Sequence, residues 1–463
     1  MLFNSLHFLV FFGAVLCLFY ALPIKYRAGF LLIASIYFYS VLIPIYLLIL
    51  AFIILLDFCM ALLIYKSGTP HRKVYLWVSL SSNLGILCFF KYYNFFLSNI
   101  NAALNVFDIS ANLPFLEILL PIGLSFHTFQ AMAYIIEVYK SNYAPERNLI
   151  RYSLYVMFFP QLVAGPIERP KNLLPQLRFD SAFSTVQFRR GMLLVFWGLL
   201  KKSVIADRLA PIVDQFYSNI WAHGTGQAWI AIIAYSFQIY CDFSGYSDIA
   251  IGTAGMLGVQ LSENFKNPYL STSLTEFWRR WHITLSGWFR DYIYIPLGGK
   301  KNGNLKFIVV TLFVFALSGL WHGAKNTFIV WGLIHGIFLV LEKLSGSAPS
   351  LPHHPLEKLT RILYVFFIST FAWVFFRSSS VEEAVFIIKK LFSLQGTASP
   401  SHYLIGEYIL ILGVIALLLA GEKGIKNFPA QYRKKFYPVL FAIVLTSYFF
   451  GIFHSKTFIY FQF

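Results

Sequence analysis

Charged residues are scarce in this chain of 463 residues. Aspartate, glutamate, lysine and arginine together make up 12% of it, whereas hydrophobic residues make up 58%. A soluble domain is usually about one quarter charged. The shortage of charge, together with long apolar runs, excludes an ordinary soluble protein and predicts an all-α polytopic membrane protein.

Cysteine and the common catalytic motifs are also scarce or missing. The four cysteines lie in apolar segments and form no close pairs, so we expect neither a disulfide framework nor a zinc site. The sequence has no GxxxxGK[ST], no GxSxG and no HExxH motif, and His353-His354 has no further candidate ligands nearby. These absences argue against a bound metal and a nucleotide-binding loop.

Lysine and arginine are distributed unevenly along the chain. The net charge of +17 fits cytoplasmic loops of a bacterial inner-membrane protein better than a nucleic-acid partner. Basic clusters place residues 66–73 and 423–435 inside, so both termini are predicted to be extracytoplasmic. Residues 209–265 contain no lysine or arginine, and Gln227–Val259 is predicted to cross inward.

Four apolar runs are long enough, or nearly so, to cross a membrane: Phe3–Leu22, Ile43–Tyr65, Leu404–Ala420 and Phe436–Phe453. We expect 11 or 12 spans in all. Tyr152–Gly165 and Gly191–Leu200 are too short for comfortable spans and suggest re-entrant or interfacial segments. We predict a single integral membrane domain over 1–463, with N-terminal helices in 1–139, a core in 140–345 and C-terminal helices in 356–463.

The stretch "TEFWRRWHITLSGWFRDYIYIPLGG" (Thr275–Gly299) places charges among aromatic residues. Its apolar side chains recur every three or four positions, which predicts a helix lying in the membrane interface; they are Trp278, Trp281, Leu285, Trp288 and Tyr292. Its cations, Arg279 and Arg280 among them, would reach water or phosphate. A basic interfacial anchor leaves His282 unexplained.

Three further runs place polar side chains in apolar surroundings. "LSGLWHGAKNTF" contains His322, which suits a general base but also suits a histidine bonded to a neighbouring helix. "YCDFSGYSDIAIG" contains Asp242 and Asp248, which would orient a catalytic histidine, pair with buried arginines or form interhelical hydrogen bonds; the structural role is favoured. "PIGLSFHTFQ" leaves the same alternatives for His127 and Gln130.

Several long motifs occur together and in order. They are "FFPQLVAGPIERPKNLLPQL" (158–177), "YCDFSGYSDIAIG" (240–252), "SENFKNPYLSTSLTEFWRRWHITLSGWFRDYIYIPLGG" (262–299), "LSGLWHGAKNTFIVWGLIHG" (317–336) and the terminal "FIYFQF". With them the chain resembles the membrane-bound O-acyltransferase (MBOAT) family. The similarity is to the branch that serves alginate O-acetylation, teichoic-acid D-alanylation and peptidoglycan O-acetylation, and it spans nearly the whole chain.

The resemblance implies a disc of helices around a central funnel and two active-site histidines. The family's near-invariant histidine falls on His322 and its second histidine on His282. Trp321, Asn326 or a backbone amide then becomes the candidate oxyanion donor, and the sequence does not choose among them. Arg279 and Arg280, with Lys300 and Lys301, become candidates for attracting the phosphates of the donor.

The expected function is an O-acyltransferase that moves acetyl, most plausibly from acetyl-CoA, from the cytoplasm to an extracytoplasmic polysaccharide. No cofactor is expected to stay bound. Relatives work with a periplasmic SGNH-type esterase partner, which we expect here as well. The sequence leaves open whether the acceptor is an alginate-type polymer or peptidoglycan. It also leaves open whether the transfer is direct or goes through the partner. The alternatives are a transporter or flippase, which often shows an inverted repeat, and a non-catalytic scaffold.

Overall fold

All regular secondary structure in the described part of the chain is helical. The computed structural model describes residues 1–41, 43–107, 114–117, 120–180, 183–299, 303–346, 354–393, 402–426, 428, 433–452 and 458–459. Within these ranges there is no strand. Five of the described helices are long and apolar enough to cross a membrane: Tyr46–Lys66, Pro70–Val106, Gly303–His322, Asn326–Leu344 and Pro355–Arg377. The all-α polytopic membrane class is confirmed, and the total of 11 or 12 spans stays a prediction.

The chain divides into two compact units. The first comprises Met1–Ser184 and Thr253–Ser262. Its helices are α1 (Leu6–Ala21), α2 (Ile24–Ser40), α3 (Tyr46–Lys66), α4 (Thr69–Leu87), α5 (Tyr93–Val106), α6 (Leu124–Tyr139), α7 (Leu149–Met157), α8 (Phe159–Leu162) and α9 (Pro170–Leu173).

Helix α6 forms the core of the first unit, because nearly all of its side chains are buried. In the middle of the apolar helix α3, the buried carboxylate of Asp57 accepts hydrogen bonds from Ser79 and Asn83 of α4. A carboxylate in apolar surroundings is costly unless it is hydrogen bonded. These bonds therefore fix α3 against α4. The predicted short segment 152–165 is indeed broken, into α7 and α8.

The second unit comprises Thr185–Gly252 and Glu263–Phe463. Its helices are α10 (Thr185–Leu200), α11 (Asp207–Ser218), α12 (Thr225–Met256), α13 (Leu274–Arg280), α14 (Ile283–Phe289), α15 (Gly303–His322), α16 (Asn326–Leu344), α17 (Pro355–Arg377), α18 (Val381–Leu391), α19 (His402–Lys426) and α20 (Arg433–Phe450), the last four residues of α12 belonging to the first unit.

The helix around the run 191–200 is longer than the apolar run itself. Helix α10 passes without a break into a π-helical turn, Lys201–Ala206, and then into α11; a re-entrant or interfacial placement of this run stays a prediction. Lys201 and Lys202 resemble the end of an apolar segment in the sequence. In the structure both are buried and neutralised by carboxylates, so the helix continues through them.

The stretch 275–299 also differs from its prediction. It is not one interfacial helix: α13 ends at Arg280, α14 begins at Ile283, and a π turn follows at Arg290–Tyr294. The break lies at Trp281 and His282, both with 0% exposure. His282 has φ of 42°, in the left-handed region that ends a regular helix. The tryptophans expected at the headgroups are therefore partly core residues.

Helices α15 and α16 approach each other unusually closely. A Cβ atom added to Gly332 would lie 2.1 Å from the carbonyl oxygen of Phe315, and one added to Gly319 would lie 2.1 Å from that of Phe328. Only glycine permits such backbone contact. This close pair carries His322 at the end of α15 and Trp331 on α16.

Candidate active site

Two histidines that are 40 positions apart in the sequence come together in the second unit. The ring centroids of His282 and His322 are 6.3 Å apart, at an interplanar angle of 58°. Both side chains are almost fully buried. Hence the pair that the motifs singled out separately forms one buried site.

Trp321 lies beside both histidines. Its ring centroid is 4.9 Å from that of His322 and 6.0 Å from that of His282, both in edge-on geometry. Asn326, the other candidate side-chain oxyanion donor, is exposed at the first residue of α16. Of the two, Trp321 is the one placed with the histidines.

Aromatic side chains of α16 and α17 pack against His322. Trp331 packs edge-on at 5.0 Å between centroids, and Phe376 of α17 at 5.4 Å. Trp331 is itself stacked on Trp373 at 5.4 Å. Edge-on contacts between aromatic rings favour a single orientation, so α16 and α17 together fix the His322 ring.

The turn that carries His282 is tied down by Asn264, which is fully buried. The backbone oxygen of Asn264 accepts from the amide of Ile283 at 3.0 Å. Its side-chain Oδ1 accepts from the amide of Thr284 at 3.2 Å and from the Thr284 hydroxyl at 2.9 Å, and lies 3.2 Å from His282 Nδ1. One asparagine thus satisfies the first two amides of α14, which have no acceptor within the helix.

Burial also sets the charge of His282, which lies between α13 and α14, outside the five candidate membrane-spanning helices. Desolvation lowers the pKa of its imidazole to about 3. The side chain is therefore neutral at physiological pH.

The two arginines of α13 differ in their surroundings. Arg279 is exposed, whereas Arg280 is half-buried and pairs with Glu276 at 2.6 Å. Lys300 and Lys301, predicted to act with them, lie outside the described residues. At the other end of α13, the carboxylate of Glu342 accepts from the amides of Leu274 and Thr275 at 2.7 and 3.2 Å.

Asp242 and Asp248 of α12 belong to a buried charge network. Lys201 Nζ is 2.5 Å from Asp248 and 3.5 Å from Glu422 of α19. Lys202 Nζ is 2.6 Å from Asp242 and 2.9 Å from Asp207. The favoured structural reading fits this arrangement: the aspartates join α12 to the π turn after α10 rather than contacting a histidine ring.

The C-terminal tail also reaches this region. The amide of Ile459 donates to Asp242 Oδ2 at 2.7 Å. Phe458 stacks on Tyr246 at 4.8 Å and lies 5.8 Å from Phe243, whose ring is 4.7 Å from that of His282. The described part of the tail therefore lines the same aromatic cluster as His282.

His127 and Gln130 belong to helix α6 of the first unit. Both are buried, and the Gln130 amide donates to the backbone oxygen of Tyr155. Gln161 of α8 in turn donates to Gln130 Oε1 at 3.1 Å. Gln130 thus ties α6 to α7 and α8.

Sequence reasoning missed several residues of the site. Asn264 and Trp331 lie within two of the quoted motifs, but nothing in the sequence distinguishes them there, and only folding brings them to the histidines. The sequence did contain an indication that the helix continues through the two buried lysines. No glycine or proline lies between Lys202 and Pro211, so nothing in the sequence requires a loop there. Among the residues that the structure describes, no group of three or more His, Cys, Asp or Glu side chains is arranged to hold a metal ion.

Comparisons with known proteins identify the family of the chain. The model of the membrane-bound O-acyltransferase family matches residues 32–382. The chain is 38% identical over 447 residues to the protein named "Probable alginate O-acetylase AlgI" of Pseudomonas aeruginosa, covering 94% of this chain and 84% of that protein. It is 35% identical over 396 residues to the peptidoglycan O-acetyltransferase of Helicobacter pylori, covering 80% and 74%.

A more distant similarity links the chain to the teichoic acid D-alanyltransferase of Streptococcus thermophilus, at 30% identity over 240 residues, 48% of this chain and 56% of that protein. The chain belongs to the membrane-bound O-acyltransferase family. Membership favours an acyl-transferring enzyme over a transporter or a scaffold.

Proposed function

We propose that this protein moves an acetyl group from a cytoplasmic donor across the bacterial inner membrane, for O-acetylation of an extracytoplasmic polysaccharide. The observation that carries the proposal is the buried pair of His282 and His322. The names of the relatives support acetyl as the group and an alginate-type polymer or peptidoglycan as the acceptor. The loop charges support an extracytoplasmic position for both termini.

His322 acts as the general base in this proposal. The acceptor hydroxyl oxygen attacks the carbonyl carbon of the acetyl thioester while the imidazole removes the hydroxyl proton. The tetrahedral intermediate then collapses, the carbon–sulfur bond breaks, and the proton passes from the imidazolium to the leaving thiolate. An ester and a free thiol result, so His322 returns to its starting state.

Trp321 is the better placed of the two candidate side-chain oxyanion donors. It contacts both histidine rings, whereas Asn326 is exposed. An indole N–H aimed at the developing negative charge would stabilise the intermediate. A Trp321→Phe variant keeps the aromatic packing and removes only that donor.

Acetyl-CoA is the proposed donor, drawn to the inner face by exposed cations such as Arg279. Replacement of Arg279 with Gln should raise the donor concentration needed for half-maximal transfer, more strongly at low than at high salt. A periplasmic SGNH-type partner is proposed to complete the transfer onto the polymer. Asp242 and Asp248 are proposed to hold the helices and not the substrate.

The test is ester-linked acetate on isolated envelope polysaccharides. Cells would carry the wild-type protein, His322→Ala, His71→Ala or no protein, with membrane levels matched; His71 is exposed and serves as the control histidine. We expect His322→Ala to match the cells without protein and His71→Ala to match wild type. Wild-type acetate in His322→Ala cells would overturn the catalytic assignment.

A further inference from the structure

The hydrogen bonds around His282 determine which of its ring nitrogens carries a proton. The starting point is the identity of the Asn264 atom that faces it. This atom lies 3.2 Å from the backbone amide of Thr284, and a backbone N–H only donates. It must therefore be the amide oxygen of Asn264, since the amide nitrogen would place two donors against each other.

The same oxygen lies 3.2 Å from His282 Nδ1. Because an amide oxygen only accepts, Nδ1 must be the donor and must carry a hydrogen. A neutral imidazole has one protonated nitrogen and one lone pair. With the proton on Nδ1, the lone pair is on Nε2.

We propose that Asn264 is a positioning residue that fixes His282 as the Nδ1–H tautomer, so that Nε2 faces the substrate as a hydrogen-bond acceptor. This inference rests on the proposed function for the identity of the substrate, an alcohol. It separates the roles of the two histidines and of Trp321. His282 receives a hydrogen bond from the acceptor molecule and holds it beside His322, and it does not donate to the oxyanion.

The local backbone shows why the position needs such support. His282 has a left-handed φ of 42°, a conformation that is energetically unfavourable for a residue with a side chain. Asn264 offsets that cost with its bonds to Ile283, Thr284 and His282 itself. Asn264 thus both stabilises the left-handed turn at His282 and sets the tautomer of its ring. Burial keeps the ring neutral, as its lowered pKa shows.

The direct test is nitrogen-15 NMR of the full-length protein in lipid bilayers, with histidine labelled in the ring. Protonated and unprotonated ring nitrogens give well-separated signals, and the His282→Gln spectrum identifies those of His282. We expect the wild-type ring to be protonated on Nδ1 and unprotonated on Nε2. Protonation of Nε2 alone in the wild-type protein would overturn the proposal.

Three variants relate the tautomer to function. Asn264→Ala removes the acceptor, so the Nδ1–H preference should be lost and ester-linked acetate should fall about 100-fold, as expected when a reactant is misplaced by about 1 Å. Asn264→Asp keeps an oxygen for all three donors, so Nδ1 should stay protonated. Thr284→Val, the matched control, removes only the hydroxyl donor and should keep both the tautomer and most of the acetate.

The outcomes are distinguishable even where a variant folds poorly. If Asn264→Ala does not accumulate in membranes, the wild-type and Asn264→Asp spectra still decide the tautomer. If Asn264→Ala retains both Nδ1–H and wild-type acetate, Asn264 has no positioning role. If the tautomer is as expected but His322→Ala keeps wild-type acetate, the proposed function fails while the tautomer assignment stands.

Discussion

The close approach of α15 and α16 makes Gly332 a sensitive test of the site. An added Cβ would meet the Phe315 carbonyl oxygen at 2.1 Å, whereas real Cβ atoms keep at least 3.0 Å. A Gly332→Ala variant must therefore open the helix pair by about 0.9 Å. The contact is with backbone, so no side-chain rotation relieves it.

The displacement acts on both stability and chemistry. Overpacking of this kind costs about 1–3 kcal/mol, against a gain of about 0.5–1 kcal/mol for alanine over glycine within a helix. The opening also moves Trp331 on α16 away from His322 on α15. Misplacement by about 1 Å reduces catalysis by about 100-fold. The fall in activity should therefore be larger than the loss of folded protein alone would produce.

The assay measures the melting temperature of the purified protein and the ester-linked acetate in cells at matched protein levels. Gly413→Ala is the control, because a Cβ at that helical position meets no atom within 4 Å. It should melt at or slightly above the wild-type temperature and keep full acetate. Equal melting temperature and equal acetate in the Gly332→Ala and Gly413→Ala variants would refute the close-contact argument.

Three more predictions concern charge. Lys201→Met leaves the Asp248 carboxylate buried without its cation and should destabilise the protein by about 3–5 kcal/mol. The double variant Lys201→Met/Asp248→Asn should recover part of that loss. A single variant as stable as wild type in thermal melting would contradict this. Glu342→Gln weakens the cap of α13 and should cost about 1–2 kcal/mol in the same measurement. Glu357→Gln, in a half-exposed pair with Arg361 on the same helix, should cost less. The unfolded chain binds a proton at His282 near pH 6.5 and the folded chain only near pH 3. The contribution of His282 to stability should therefore fall by about 1.4 kcal/mol for each unit by which the pH is lowered within that range. The melting temperature of His282→Gln should depend less on pH there than that of the wild type, and an unchanged dependence would contradict this prediction.

Hydropathy and loop charge were enough to predict the class of fold. Apolar runs such as Ile43–Tyr65 became helices, and Gln227–Val259 is matched by the single helix α12, Thr225–Met256. These features depend on local composition, which a sequence displays directly. The sidedness and the total number of spans stay predictions, as does the single membrane domain over 1–463.

The site was only partly predictable, for physical reasons. The motifs indicated His282 and His322, but their 6.3 Å separation depends on a turn with a left-handed histidine, and nothing in the residue type announces that conformation. A helical periodicity in 275–299 concealed the break. Likewise, whether Lys201 ends a helix or lies inside one depends on acidic partners far away in the chain.

The buried lysines have a consequence for how the chain enters the membrane. Lysine at the centre of an inserted helix costs about 2.5–3.5 kcal/mol, and Lys201 and Lys202 are adjacent. Lys202 has one partner within its own segment, Asp207, but its other partner, Asp242, is synthesised 40 residues later. Both partners of Lys201 also come later, Asp248 47 residues and Glu422 221 residues further along the chain. Full neutralisation of Lys201 must therefore wait for α12 and α19, which makes this part of the assembly a late event in the synthesis of the protein.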